Sequence, residues 1–133
     1  MLIVDASALV EVLLRRPRAA AVRKWLAEDP DQAAPHIIDV EAFGVIRREH
    51  QRGLLDATAA QQAVTSIEDW SGERFGHRPL LARAWELRDS VRGWDAMYVA
   101  LAEALDAVLV TCDRRLAAAH GPRCEIVVPG LAQ

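Results

Sequence analysis

The feature that most constrains the fold of this chain is a set of short, almost wholly apolar runs separated by segments with helical spacing. The runs are LIV at residues 2–4, AVLV at 107–110 and EIVV at 125–128. Strands that are buried on both faces have such runs, whereas strands with one solvated face alternate polar and apolar residues. The pattern therefore predicts an α/β sandwich of three layers, with a short parallel central sheet and helices on both faces.

Seven segments between and beside these runs place apolar residues at helical spacing. Gly53 is suited to end the third segment, and Pro79 is suited to the first turn of the fifth. Asp56 or Thr58 is the candidate cap of the fourth. Residues 29–32, DPDQ, are interpreted only as the stop after the second helix. The predicted helices cover residues 6–16, 19–28, 37–53, 56–70, 78–91, 95–105 and 114–120.

The size and composition of the chain fit one globular domain that spans residues 1–133. With 52% hydrophobic and 26% charged residues, the composition is that of a folded protein with enough apolar side chains for a core. No apolar run approaches the roughly 20 residues of a membrane span, and no basic segment precedes the apolar start. We therefore expect a cytoplasmic protein that has no membrane partner.

Two aspartates are predicted to lie at the same edge of the sheet. Asp5 directly follows the first apolar run, and Asp113 lies three residues after AVLV. The carboxyl ends of parallel strands meet at one edge, and ligands bind in the crevice there. Asp106 precedes AVLV and so belongs to the opposite edge. Because Asp5, Asp95 and Asp113 each precede a helical segment, an N-cap role is the alternative for each of them.

Glu41 is an acid in an otherwise apolar stripe of the third predicted helix. Spacing by three and four residues places it on one face with four apolar side chains. These are Ile37, Ile38, Val45 and Ile46. A buried carboxylate without a partner is costly, so we expect Glu41 to contact a metal ion or another polar group. A buried salt bridge to an arginine is the alternative.

Carboxylates that are gathered at one place repel one another unless a cation binds among them. Two unit charges about 4 Å apart repel by roughly 4 kcal/mol at an intermediate dielectric constant. A helix N-terminus offsets only up to about 1 kcal/mol of this. A divalent cation offsets far more, and oxygen ligands without histidine favour Mg²⁺ or Mn²⁺ over zinc. The acids therefore predict a site for Mg²⁺ (or Mn²⁺).

Four segments follow one another over essentially the whole chain: IVDASAL, PHIIDVEAFGVIRR, WDAMYVALAEAL and LVTCDRRL. Together they resemble those of the PIN-domain ribonucleases, most closely the VapC-type toxins of bacterial toxin–antitoxin pairs. DASAL alone is a weak motif, whereas the pairing of WDAMYVALAEAL with LVTCD is highly specific. The resemblance implies a PIN-like sandwich with an acidic catalytic site formed by Asp5, Glu41, Asp95 and Asp113.

The resemblance also implies how the acids share the metal ion. Asp5 and Asp95 would lie closest to the Mg²⁺ or Mn²⁺. Glu41 and Asp113 would bind the ion directly or through water. All four would thus be both catalytic residues and metal ligands.

Four polar residues beside the acids receive supporting roles from the resemblance. Ser7 and Thr111 match hydroxyl positions that hold water or orient a carboxylate, and a turn role is the alternative for both. Arg114 and Arg115 stand where some relatives carry a further acid, which counts against a fully occupied two-metal site. The same two arginines are candidate RNA contacts, and ordinary surface residues are the alternative.

The aromatic residues of the chain are few, and most of them are expected to lie in the core or in an interface. Large aromatic side chains most often anchor a core or an interface. Trp94, which is adjacent to Asp95, is also placed where a base of bound RNA could stack on it.

The activity implied by the resemblance is endoribonucleolytic cleavage of structured RNA such as tRNA or rRNA. The toxin would be a homodimer that a cognate antitoxin protein silences. The alternative is a catalytically silent PIN-like module that binds a protein partner or RNA. An aspartyl-phosphate phosphatase is excluded because Ser7 stands where its second acid is needed. A receiver-type phosphoacceptor is excluded because the only lysine, Lys24, lies in an early helix.

Overall fold

The centre of the molecule is a parallel sheet of five short strands. The computed structural model describes residues 1–130. The strands are β1 (Leu2–Val4), β2 (Gln32–Pro35), β3 (Glu73–Phe75), β4 (Val108–Val110) and β5 (Ile126–Val127). They lie in the order β3-β2-β1-β4-β5, and all four neighbouring pairs are parallel. The register places Ile3 of the central strand opposite Ala33 on one side and Leu109 on the other.

Seven α-helices and one 3₁₀ turn (Arg78–Leu80) connect the strands within residues 1–130. The helices are α1 (Ala6–Leu13), α2 (Ala19–Glu28), α3 (Ile37–Gln51), α4 (Ala57–Asp69), α5 (Leu81–Glu86), α6 (Asp95–Ala104) and α7 (Arg114–Ala118). The single helix predicted over residues 78–91 is wrong, because Arg78–Leu80 form the 3₁₀ turn and α5 ends at Glu86. In the turns that follow, the N–H groups of Ser90 and Val91 both donate to the Leu87 carbonyl, so the regular helical pattern does not continue. In this part of the chain no helix combines the length and apolarity needed to cross a bilayer.

The order of the strands divides the helices between the two faces of the sheet. From β1 the chain moves outward to β2 and β3, then returns to pair β4 with β1. Right-handed crossovers place α1–α4 on one face and α5–α7 on the other. In agreement, α1 packs against α2 and α3, whereas α6 packs against β1, β2 and β4. The predicted three-layer α/β/α sandwich is confirmed.

Two strands of the sheet, β2 and β3, lack a strand pattern in the sequence. Their sequences are QAAP and ERF, without a β-branched residue or an apolar run. β2 nevertheless lies between β1 and β3, with Ala33 and Ala34 fully buried. The interpretation of residues 29–32 as only a helix stop is therefore wrong at Gln32, where β2 begins. Small side chains suit this strand because α6 packs directly on it.

Two apolar clusters hold in place the helices whose polar side chains lie at the edge of the sheet. The larger cluster covers the sheet and contains Tyr98 of α6, the largest fully buried side chain among the described residues. The smaller cluster joins α1, α3 and α4 through Val10, Ala42, Ile46, Ala63 and Ile67. Together they hold α3 and α6 at fixed positions beside the ends of β1 and β4.

Candidate active site

Four carboxylates from four elements line one open cleft of about 540 Å³. They are Asp5 after β1, Glu41 in α3, Asp95 at the start of α6 and Asp113 before α7. The neighbours β1 and β4 mark the point where the strand order reverses, and ligands bind outside the carboxyl ends of the strands at such a point. The structure therefore brings together the four acids that the sequence suggested.

Asp5 is the most buried of these acids, with 5% of its surface exposed. Its Oδ1 accepts a hydrogen bond from the Ser7 backbone N–H at 3.2 Å, which caps α1. Its Oδ2 accepts hydrogen bonds from the hydroxyls of Ser7 at 3.1 Å and Thr111 at 2.5 Å. Asp5 is thus a helix cap and, at the same time, a carboxylate of fixed orientation.

The hydroxyls of Ser7 and Thr111 link the ends of β1 and β4. Ser7 Oγ accepts from the Cys112 N–H at 2.9 Å, and Thr111 Oγ1 accepts from the Asp113 N–H at 3.0 Å. Because each hydroxyl accepts from an amide, its own hydrogen is left to donate to Asp5. In the structure both hydroxyls therefore orient the Asp5 carboxylate.

Asp113 and Asp95 differ in their relation to the helices that follow them. Asp113 Oδ1 accepts from the Arg115 N–H at 2.9 Å and caps α7. Its Oδ2 receives no hydrogen bond from residues 1–130, so this oxygen is available to a ligand. Asp95 is the first residue of α6, whose N-cap is Trp94. The alternative that Asp95 is an N-cap is therefore wrong.

The polar partner of Glu41 is the hydroxyl of Tyr98, which the sequence did not reveal. Tyr98 donates this hydrogen bond to Glu41 Oε1 at 2.7 Å. Within residues 1–130 Glu41 forms no salt bridge to an arginine, so that alternative is wrong. Tyr98 lies one helical turn after Asp95, and this spacing was the available hint that the two side chains lie on the same side of α6.

The cleft makes ionisation of its acids unfavourable. Burial raises the pKa of Asp95 to about 7, and the negative charges of the other three acids add to this effect. Burial also raises the pKa of Asp5, although hydrogen bonds from Thr111 and Ser7 oppose the increase. The pKa of Glu41 is raised by burial as well. Asp95 is thus the acid that experiences the charges of all the others.

This raised pKa predicts that the stability of the protein falls with rising pH. Between about pH 4 and pH 7 an unfolded chain loses the Asp95 proton while the folded protein keeps it, so the free energy of unfolding decreases. Below this window both states are protonated and the penalty is absent; above it the penalty is complete. Urea unfolding of wild type and Asp95→Asn across the window measures the effect. The variant should remove most of the decrease, and equal slopes would contradict the assignment to Asp95.

The donor chemistry of the cleft fits a hard divalent cation. Four carboxylates line it, and three of them have raised pKa values because burial and mutual repulsion disfavour their charges. In the described part of the chain, no three histidine, cysteine or acidic side chains are already arranged around one common ion position. Binding of an ion would therefore require the less constrained acids, such as Asp95, to move closer to Asp5, whose orientation is fixed.

The remaining walls of the cleft include two residues of α3 that the sequence did not place beside the acids, and also Trp94, which it did. Arg48 and Gly44 of α3 line it, together with the indole of Trp94. The two α3 residues lie seven and three positions after Glu41, a helical spacing that places all three on one face. Arg114 and Arg115 begin α7 as exposed residues that are not part of this lining.

Comparison with known proteins assigns the chain to a family. The model of the PIN domain family matches residues 2–121. Ribonuclease VapC1 of Mycobacterium tuberculosis is 38% identical over 125 residues, which cover 93% of this chain and 94% of the relative.

Two solved structures share the fold. The crystal structure of PAE2754 from Pyrobaculum aerophilum matches with a TM-score of 0.68 and 28% identity, covering 94% of this chain and 81% of that one. VapBC2 from Rickettsia felis, crystallised with a DNA fragment from their promoter, matches with a TM-score of 0.68 and 15% identity, covering 96% and 97%. The family match and the VapC1 similarity establish that the chain belongs to the PIN domain family, as one of its VapC ribonucleases.

Proposed function

We propose that this VapC ribonuclease is an endoribonuclease that cleaves structured RNA, tRNA or rRNA, in a reaction that requires Mg²⁺ or Mn²⁺. The observation that carries the proposal is the cleft in which four elements each contribute one carboxylate. Such a gathering is unfavourable in itself, as the raised pKa of Asp95 indicates, and a cation among the acids relieves it. A single domain over residues 1–133 would carry the whole site.

The acids would hold the metal ion in unequal ways. Asp5 and Asp95 would lie closest to it, with Glu41 and Asp113 as direct or water-mediated ligands. Once bound, the ion would activate water and offset the negative charge that develops on the phosphate oxygens. The free Oδ2 of Asp113 supports its place in this set, because the cap of α7 uses only Oδ1.

The other polar residues of the site position these acids. Ser7 and Thr111 hold both oxygens of Asp5 through three hydrogen bonds, counting the Ser7 amide. Tyr98 fixes Oε1 of Glu41, a residue that lines the cleft, and the other carboxylate oxygen would be available to a ligand. Residues in such supporting positions typically change metal affinity or activity by about 10- to 100-fold when they are replaced.

We further infer that the protein acts as the toxin of a toxin–antitoxin pair in the cytoplasm, as a homodimer with a cognate antitoxin. The match to VapBC2, a two-component assembly by name, supports a protein partner. An apolar groove of about 560 Å³ between α3 and α4 supports it too. Val40 and Phe43 in this groove expose 66% and 50% of their surfaces. Exposed apolar grooves of this kind mark interaction sites.

The proposed activity is tested by incubating total cellular RNA with the purified protein in Mn²⁺ and mapping the new RNA ends. We expect discrete cuts that disappear with EDTA and return when Mn²⁺ is restored. Asp5→Ala should make none of them, whereas Asp106→Asn, at the opposite edge of the sheet, should cut as wild type does. Full activity in EDTA would overturn the metal requirement.

The same experiment separates the enzyme from the silent-module alternative. A folded wild-type protein that binds Mn²⁺ but leaves all RNA intact would favour a module that only binds a protein or RNA. The repulsion among the four acids argues against such a module, because a pure binding protein would gain stability by replacing them.

A further inference from the structure

The cleft contains an arginine and an exposed indole that the proposed chemistry does not use. Arg48 and Trp94 both line it beside the acids. Trp94 exposes 62% of its surface. Among the residues that the structure describes, Arg48 has no ion-pair partner. An exposed tryptophan is not unusual by itself. One that lines an acidic cleft together with an unpaired arginine indicates a binding role for both side chains.

Arg48 is directed back along α3 toward the acids. Its Nη1 lies 3.5 Å from the position that a Cβ on Gly44 would occupy. Gly44 in turn lies one helical turn from Glu41. At 3.5 Å a Cβ on Gly44 would be in ordinary van der Waals contact with the guanidinium, so the Arg48 side chain lies alongside the backbone of α3 at Gly44.

The guanidinium of Arg48 is not paired with the acids of the site. The cation that lowers the pKa of Asp95 is Arg92, and the hydrogen-bond partner of Glu41 is Tyr98. A guanidinium beside carboxylates that bind a cation is well suited to a phosphate, which it binds through two parallel N–H groups. The indole offers a flat face to a base.

We propose that Arg48 and Trp94 bind the RNA strand next to the cleavage point, with Arg48 on a backbone phosphate and Trp94 stacked on a base. The inference rests on the proposed cleavage of RNA and names two residues that position the substrate. Because stacking on a protein side chain requires a base released from its helix, the strand is unpaired where it crosses the cleft.

The test is a binding measurement in which every protein carries Asp95→Asn, so that the RNA stays intact. The probe is a fluorescent single-stranded RNA of mixed sequence and about 10 nucleotides, followed by anisotropy. We expect Trp94→Ala and Arg48→Ala each to raise Kd roughly tenfold. Only Arg48→Ala should also reduce the slope of log Kd against log salt, by about 0.7. Trp94→Phe should restore most of the binding, whereas Arg48→Lys should restore the salt slope but only part of the affinity.

Matched control variants are present in the same chain. Trp85 is exposed to a similar extent, 67%, and Arg47 is the exposed neighbour of Arg48, yet neither lines the cleft. Trp85→Ala and Arg47→Ala should therefore bind the probe as the parent does. If all four alanine variants bind alike, or if a duplex of the same length depends equally on Trp94, the inference is wrong.

The outcome is distinguishable from that of the proposed function. Binding that depends on Arg48 and Trp94, in a protein whose wild type makes no cuts in Mn²⁺, would support the inference and contradict the nuclease activity. Cleavage by wild type that both alanine variants retain at unchanged KM would contradict the inference alone.

Discussion

Replacing Asp95 by asparagine should make the protein more stable and abolish RNA cleavage at the same time. Burial and the charges of the neighbouring acids raise the pKa of Asp95 to about 7, so above this pH its ionised carboxylate destabilises the folded protein. A neutral amide of the same shape removes this penalty. It also removes the favourable interaction of a charge with the N-terminus of α6, which is worth up to about 1 kcal/mol.

The net stabilisation should be about 1 kcal/mol near pH 8. Three pKa units would correspond to about 4 kcal/mol, but Asp95 is only half-buried, so solvent screening reduces this figure strongly. The melting temperature should rise by about 4 °C. RNA cleavage should fall by more than about 100-fold, because a ligand of the proposed ion would be lost.

Two measurements decide this prediction. Urea unfolding near pH 8 gives the stability, and RNA cleavage in Mn²⁺ gives the activity. Asp106→Asn is the matched control, since Asp106 is exposed at the other edge of the sheet and its φ of 50° also suits asparagine. An Asp95→Asn protein that is less stable than wild type would show that the acid serves the fold, not a binding site.

Replacing Arg74 by methionine should destabilise the protein by about 3 kcal/mol without altering the chemistry of the cleft. Its guanidinium donates to the carbonyls of Ile67 at 2.7 Å, Trp70 at 2.6 Å and Gly72 at 2.9 Å. It also donates to Asp39 Oδ1 in α3 at 2.9 and 3.3 Å. The hydrogen bonds of this one side chain therefore hold the C-terminal end of α4 and the turn before β3 together, and they connect both to α3.

The size of the effect follows from the hydrogen-bond acceptors that lose their donor when methionine replaces Arg74. Arg74 is 18% exposed, so the abandoned carbonyls are partly screened from water and each lost hydrogen bond costs about 1 kcal/mol. Asp39 loses its partner but is 41% exposed, which limits that contribution. Arg74→Lys should recover little, because an ammonium cannot reproduce the planar fork.

Chemical denaturation measures the change, with Arg23→Met as the control. Arg23 is an exposed residue of α2 and should change the free energy of unfolding by less than about 0.5 kcal/mol. Below the melting temperature the Arg74→Met protein should cleave RNA at the wild-type rate per folded molecule. A loss of stability no larger than that of Arg23→Met would contradict the capping role.

Asp5 and Asp113 were predictable because the end of a buried strand is a position that the sequence marks directly, whereas Glu41 was suggested by its place in an apolar helix stripe and Asp95 by the resemblance. LIV stops at Asp5 and AVLV stops just before Asp113, and parallel strands send both to one edge. Asp56 was predictable as a cap in the same local way, and it accepts from the Ala59 N–H at 2.8 Å. These features depend on residues within one turn or one strand of each other.

Apart from Ser7 and Thr111, to which the resemblance gave a supporting role, the partners of the acids were not predictable, since a residue pattern does not show which distant parts of the chain will meet. Tyr98 is 57 positions from Glu41, and Thr111 is 106 positions from Asp5. Arg74 likewise bonds Asp39 across 35 positions. A hydroxyl or a guanidinium has no periodic pattern that identifies its partner, because the partner is chosen by packing.

The sequence by itself determined six of the seven helices, the apolar strands β1, β4 and β5, the positions of Asp5 and Asp113 at the edge of the sheet and the resemblance to PIN-domain ribonucleases. The tertiary structure decided that QAAP and ERF are strands, that Asp95 is no cap, and that Arg48 and Trp94 border the acids. The physical reason is the range of the forces involved. Apolar periodicity and capping act locally, whereas strand pairing and the sharing of a cleft are fixed only when the core packs.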